Sequence, residues 1–185
     1  MSELLVASLK RDDNLAMEQI FSIYWESVFD IAFKKVCNED VAQDIAQEIF
    51  ISLWENRKNL ELTGNLSGYL HGAVKYKVIN YYRSTAIKEG HQTEFAFLMK
   101  QQYVNAADES LILQDTSKEI ETALKSLPER MRLIISMSRK QDKSIKEIAA
   151  ELNISAQTVK NQITAAMKLL RENLSYILFI AFFIR

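Results

Sequence analysis

Gln157, Thr158, Lys160, Asn161, Thr164 and Lys168 fall on one side of a helical pattern that opens at Ser155. Together they offer amides, hydroxyls and cations, with no carboxylate before Glu172. Amides pair with adenine edges and lysines meet guanine edges or phosphates, so a helix face of this composition suits a DNA major groove. The other side carries Val159, Ile163, Ala166 and Leu170, spaced four, three and four, the rhythm of a helix that buries one face. Just upstream, Ser144 and Glu147 have capping-box spacing, Ile145, Ile148 and Leu152 keep helical register, and Asn153 suits a left-handed turn. Ala149, Asn153 and Val159 stand where two steeply crossing helices must touch: a small residue, a turn residue and a β-branched residue. The pattern predicts a helix-turn-helix. Two ordinary packed helices with a solvated face are the bland alternative, and these offsets weigh against it.

Two further faces could carry binding. On a helix beginning near Asp40, the residues Asp44, Gln47, Glu48, Ile51 and Glu55 lie opposite an apolar stripe of Ile45, Ile49 and Leu53. Such an acidic face is usually only solvated, but an isoleucine within it is what a protein partner needs. On the next helix Tyr76, Asn80 and Arg83 step along one side with Lys75 and Lys77 beside them. Rings next to cations can stack unpaired bases and hold phosphates. Taken alone, Tyr69, Tyr76, Tyr81 and Tyr82 read better as core-edge residues with wet hydroxyls.

Composition bounds the fold that must position these faces. The 185 residues are 48% apolar and include four glycines and one proline, which favours helices over tightly turned sheets. The expected class is all-α: two small helical domains joined by a flexible linker, the second a helix-turn-helix domain. Amphipathic helices are expected over 13–36, with Met17, Phe21, Tyr24, Val28 and Ile31 inward, and over 40–57. A break at Thr63-Gly64-Asn65 precedes a third, from about Ser67 to Arg83, with Leu70, Val74, Val78 and Tyr81 inward. From Lys88 to Asp115 no period is sustained, which predicts a linker with at most short helices. Ile120, Leu124 and Leu127 then restart helical register, and Pro128 falls in a first turn with Ser126 and Glu129 at capping-box spacing. The division is 1–90, a linker over 91–115, a helix-turn-helix domain over 116–174 and an apolar tail over 175–185.

The net charge of −1 conceals an asymmetry. Residues 117–172 hold eleven cations against seven carboxylates, 1–90 hold ten against thirteen, and 91–115 one against four. The basic part is the helix-turn-helix part. The lone Cys37 excludes an internal disulfide and reads as a buried thiol, and the N-terminus lacks signal-peptide character; both point to the cytoplasm. His71 and His91 have no carboxylate or cysteine at ligand spacing, and neither a glycine-rich phosphate loop nor a Ser-His-Asp set is present. The expectation is therefore no enzyme, cofactor, metal or small-molecule substrate. The tail SYILFIAFFIR is far shorter than the roughly 20 residues that span a bilayer, so it is expected to fold back on its own domain rather than anchor in a membrane or await a partner.

Three segments in order resemble the blocks of extracytoplasmic-function sigma factors: Asp44-Ile-Ala-Gln-Glu-Ile-Phe-Ile-Ser-Leu-Trp54, Ala73-Val-Lys-Tyr-Lys-Val-Ile-Asn-Tyr-Tyr-Arg83, and Leu127-Pro-Glu-Arg ahead of the helix-turn-helix. The resemblance runs from Lys10 to Glu172. It implies a first domain that binds the clamp coiled coil of core RNA polymerase and opens the minus-ten promoter element. A second domain would read the minus-thirty-five element as duplex, and an acidic linker would thread the polymerase's basic channel. It makes Asp44, Gln47, Glu48 and Ile51 a polymerase-docking surface and Lys75, Tyr76, Lys77, Asn80 and Arg83 contacts to melted DNA. Ser155 and the α-helical face after it would contact duplex. The implied partners are core RNA polymerase, promoter DNA and an anti-sigma factor. Tyr76 and Asn80 stand where many members have asparagine and aspartate, so promoter preference does not transfer. The other readings are a polymerase-independent helix-turn-helix regulator and a helical adaptor that binds only proteins.

Overall fold

The computed structural model describes residues 2–62, 64–103, 109–176 and 178–180. Among them run nine α-helices and no strand: α1 (Ser2–Lys10), α2 (Asn14–Val36), α3 (Glu39–Glu55), α4 (Leu66–Glu89), α5 (Gln92–Tyr103), α6 (Glu109–Ser126), α7 (Glu129–Arg139), α8 (Ile145–Glu151) and α9 (Ala156–Asn173). They form two compact units, Met1–Ile79 and Asn80–Arg185. The division falls inside α4, eleven residues before the 90/91 boundary that charge and period suggest.

In the first unit α2 and α3 form an antiparallel pair joined at Cys37 and Asn38. Asp13 caps α2 by accepting from the Leu15 and Ala16 N–H groups at 2.9 and 3.4 Å. Cys37 ends it with φ 51°, a left-handed conformation, and its buried thiol donates to the Lys34 carbonyl at 3.3 Å. Asn38 then caps α3 by accepting from the Val41 N–H at 3.1 Å. The stripe expected on α3 is the buried one: Ile45, Ile49 and Leu53 lie in the core with Ala42, Ala46 and Phe50.

The face expected on α2 is corrected. Ala16, Ile20, Ala32, Phe33 and Val36 are buried along with Val28, whereas Phe21 is 42% exposed. Phe21 instead stacks on Trp25 at 4.8 Å and leans on Phe50 at 5.0 Å, an aromatic group at the rim of the core. The helix α1, which the pattern did not predict, buries Val6 and Leu9. The chain after it is tied to the end of α3: Arg57 Nε donates to Asp12 Oδ1 at 2.6 Å, and Lys58 pairs with the same carboxylate at 3.0 Å. These hydrogen bonds, Lys58's first, hold the Asp12 carboxyl below its ordinary value.

The third helix is longer than expected. Asn65 caps α4 by accepting from the Gly68 N–H at 2.7 Å, while Thr63 of the anticipated break lies outside the described residues. Its buried row is Leu66, Leu70, Val74, Val78, Tyr82 and Ala86, so Tyr82 rather than Tyr81 faces in. The helix ends at Gly90, whose φ of 79° is left-handed, and the His91 N–H donates back to the Ala86 carbonyl at 2.8 Å.

In the second unit α7, α8 and α9 pack as the helix-turn-helix core, joined by α6. The segment read as linker is more helical than its pattern suggests: α5 spans 12 residues and buries Phe95 and Leu98, and α6 begins at Glu109. The Asn105-Ala106-Ala107-Asp108 stretch lies outside the described residues. Ser126 does not cap α7; its hydroxyl donates to the Ala123 carbonyl at 2.8 Å, and Pro128 itself stands at the N-cap without a side-chain bond. The described part of the tail folds back within this unit. Phe179 and Ile180 are buried, Tyr176 stacks on His91 at 4.3 Å, and its hydroxyl donates to the Tyr82 carbonyl at 3.4 Å. Ile177 and Ala181–Arg185 lie outside the described residues. No helix among the described residues is long and apolar enough to cross a membrane.

Candidate nucleic-acid interface

The helix-turn-helix is built by local bonds that the sequence spells out. Ser144 Oγ accepts from the Glu147 N–H at 3.2 Å, and Glu147 accepts from the Ser144 N–H at 2.7 Å, which closes the capping box of α8. Asn153 makes the turn with φ 50°. Its next residue donates to the Ala149 carbonyl at 2.9 Å, which draws the chain tightly over that small residue. Ser155 caps α9 by accepting from the Thr158 N–H at 3.0 Å. Val159, Ile163, Ala166, Met167 and Leu170 are then buried, and the opposite face is left to solvent.

That opposite face holds Gln157, Asn161, Thr164 and Lys168, all exposed, with Thr158 and Lys160 half-buried at its edge. Gln157 Nε2 donates to Asn161 Oδ1 at 3.2 Å, so the two amides lie against each other before any ligand arrives. Ser155 and Thr158 are engaged with each other, hydroxyl to hydroxyl at 2.8 Å, and serve the cap. Arg171, further along the same face, is turned aside: it pairs with Glu89 and its guanidinium lies 5.9 Å from the Phe179 ring.

The face of α4 differs. Lys75 and Arg83 are exposed, Asn80 is half-buried, and Tyr76 is 66% exposed, too open for a core-edge residue. Lys77 is not free: its ammonium donates to Glu48 Oε2 of α3 at 2.7 Å. On α3 itself Asp44, Gln47 and Glu48 are exposed around Ile51, which is 56% exposed, so the acidic face with an apolar centre is present as read. Residues 29 apart in sequence carry no signal of such a pair, and the Lys77–Glu48 bond was not legible before the fold.

Two family models match the chain. Sigma-70 region 2 covers residues 21–86, most of α2 through α4, and Sigma-70, region 4 covers 117–170, the end of α6 through α9. Both matched regions hold the faces described above, in the order expected. The chain is an extracytoplasmic-function sigma factor. It gives core RNA polymerase its promoter specificity in transcription initiation, with the polymerase and promoter DNA as partners. Sigma factors are in general DNA-recognition subunits without catalytic activity of their own. Similar proteins include the ECF RNA polymerase sigma factor SigW of Bacillus subtilis, 24% identical over 91% of this chain and 94% of that one. SigF of Caulobacter vibrioides is also 24% identical, over 71% of this chain and 70% of its own. Among solved structures, CnrH in complex with the cytosolic domain of CnrY is 17% identical, covers 92% of this chain and 95% of that one, and has a TM-score of 0.42. RpoE of Bartonella quintana in complex with the anti-sigma factor NepR is 20% identical, covers 84% and 94%, and has a TM-score of 0.36.

Proposed function

We propose that the sigma factor divides its work among three faces. The acidic face of α3, Asp44, Gln47 and Glu48 around Ile51, docks on core RNA polymerase. Lys75, Tyr76, Lys77, Asn80 and Arg83 of α4 meet the minus-ten element, with Tyr76 stacking on an extruded base and the cations holding backbone phosphates. On α9, Gln157 and Asn161 read the minus-thirty-five duplex, Thr164 and Lys168 flank them, Lys160 reaches phosphate, and Ser155 and Thr158 hold the helix start that delivers them.

The observation that carries this reading is the exposed Gln157–Asn161 pair on a helix that Ser155 caps and whose other face is buried. Fixed donors and acceptors at one helical turn are what base-edge recognition requires. On this reading the 1–90 block opens the promoter, 116–174 reads duplex, and 91–115 joins them along the polymerase. The protein works in the cytoplasm, where polymerase and chromosome meet, and the family implies an anti-sigma factor as its keeper.

Run-off transcription with purified core polymerase tests the assignment. Ile51→Asp should abolish polymerase pull-down, and Gln157→Ala with Asn161→Ala should change promoter choice while pull-down persists. A quadruple alanine variant at Gln157, Lys160, Asn161 and Lys168 that transcribes the same promoter at the wild-type rate would remove α9 from the reading.

A further inference from the structure

The Lys77–Glu48 bond joins a residue of the proposed DNA face to one of the proposed polymerase face. At 2.7 Å it is a charge-assisted hydrogen bond between α4 and α3, with the lysine side chain 33% and the glutamate side chain 58% exposed. We propose that this pair couples the two interfaces: Glu48 masks Lys77 in the free protein, and polymerase docking on α3 draws Glu48 away and hands Lys77 to the DNA backbone. The inference rests on the assignments above and adds the device that links them.

The physical argument is one of shared charge. A phosphate that approaches the Lys77 ammonium also comes close to the Glu48 carboxylate, and the repulsion between the two anions offsets much of what the ammonium offers. Cations on a docking partner that engage Glu48 remove that repulsion without moving α4. Lys75, two residues away and exposed, has no ion pair among the described residues and is available from the start. The coupling is reciprocal, so DNA held on Lys77 must strengthen the polymerase's hold on Glu48 by the same factor. Exposed pairs of this kind are weak, which sets the expected effect at about two- to fivefold.

The test uses the full chain and a mixed-sequence single-stranded 12-mer at low salt, since a phosphate contact needs no particular bases. Glu48→Gln should tighten binding of the oligonucleotide to the free protein about two- to fivefold, with no such gain in a Lys77→Ala background. With core polymerase bound, Glu48→Gln should give no gain, because Glu48 is already engaged. Unchanged oligonucleotide affinity in the free Glu48→Gln protein overturns the proposal, as does a gain that persists without Lys77, which would be only the general loss of a negative charge. Glu48→Gln that binds core polymerase as tightly as wild type overturns the coupling by a different route. In that case the docking role of Glu48 fails, whatever the oligonucleotide shows.

Discussion

The outer faces of α9 and α4 are both proposed to meet nucleic acid, yet their construction differs. On α9 the recognition groups are amides and hydroxyls that bond to one another along a single helix, Gln157 to Asn161 and Ser155 to Thr158. On α4 they are an open ring and flanking cations, and one cation is bonded to another helix altogether. Duplex presents base edges at fixed positions, so its reader gains from groups fixed in advance, whereas a strand that must first be opened is better met by a surface that binds any base by its flat side. The contrast separates a template that is set by its own caps from a surface whose charge answers to a neighbour.

The largest effect should come from removing the support beneath the duplex-reading face. Ile163 is fully buried, and Ile163→Ala is expected to cost about 2–5 kcal/mol of stability. Thermal unfolding should fall and duplex binding with it, while pull-down on core polymerase through α3 persists. Equal loss of both activities would show that the two faces are not independently supported.

Next, Tyr76→Ala should slow promoter opening by the worth of one stacked base, about 1–3 kcal/mol, and leave polymerase binding intact. Tyr76→Phe should keep most of the rate. Permanganate reactivity of the minus-ten thymines reads both, and a Tyr76→Ala protein that melts the promoter at the wild-type rate would return this tyrosine to a merely structural part.

Of comparable or smaller size, Lys168→Ala should weaken duplex binding evenly across sequences and lower the salt slope by about one, whereas Asn161→Ala should change which bases are preferred. Salt titrations on two unrelated duplexes distinguish the cases; if both variants behaved alike, the division between phosphate and base contacts would fail.

The smallest expected effect lies away from either face, in the tail. Burial first, and then the nearby Glu89 carboxylate, raise the Tyr176 hydroxyl from 10.0 to about 12. The raised value means that the folded protein keeps this proton while the unfolded chain loses it. The contribution is therefore full below pH 10.0 and is lost as pH rises toward about 12. Melting curves over that window should fall less steeply for Tyr176→Phe than for wild type, and parallel curves would mean the phenol is not held as described.

The caps and turns of the helix-turn-helix were legible because each depends on a few adjacent residues: Ser144 with Glu147, Asn153, Ser155. The buried side of α3 was legible because its apolar residues permit only one stripe. The helix α2 is different, with apolar residues on several sides, and the choice of Ile20 and Phe33 over Phe21 is made by the helices packed against it. Tyr81 and Tyr82 are chemically alike, so only the continuation of the four-residue step to Ala86 decides which turns inward. The helix α5 left little trace because two buried side chains suffice to hold it, and Ser126 misled because its hydroxyl prefers a carbonyl one turn back. For the candidate site, the residues of each face were readable one helix at a time; what joins Lys77 to Glu48 was not, since it exists only once the fold brings the two side chains within reach of each other.

Asp12, Cys37, Asp142 and Asn153 all adopt left-handed backbone, at φ between 50° and 65°, where a glycine would be the easy choice. This conformation places the Cβ against the following carbonyl, at about 1–2 kcal/mol for an ordinary side chain and more for a β-branched one; aspartate and asparagine suffer least. These corners therefore limit how the sequence may drift. A library at position 153 selected only for folding should return asparagine, glycine and aspartate and discard valine and isoleucine, although this position belongs to none of the proposed binding faces. At position 37 the same demand meets a buried site, where glycine relieves the backbone but leaves a hole and a larger side chain fills the hole but strains the turn. Tolerance to mutation in this protein should consequently be restricted also at residues that merely turn the chain, whatever their distance from the proposed DNA faces.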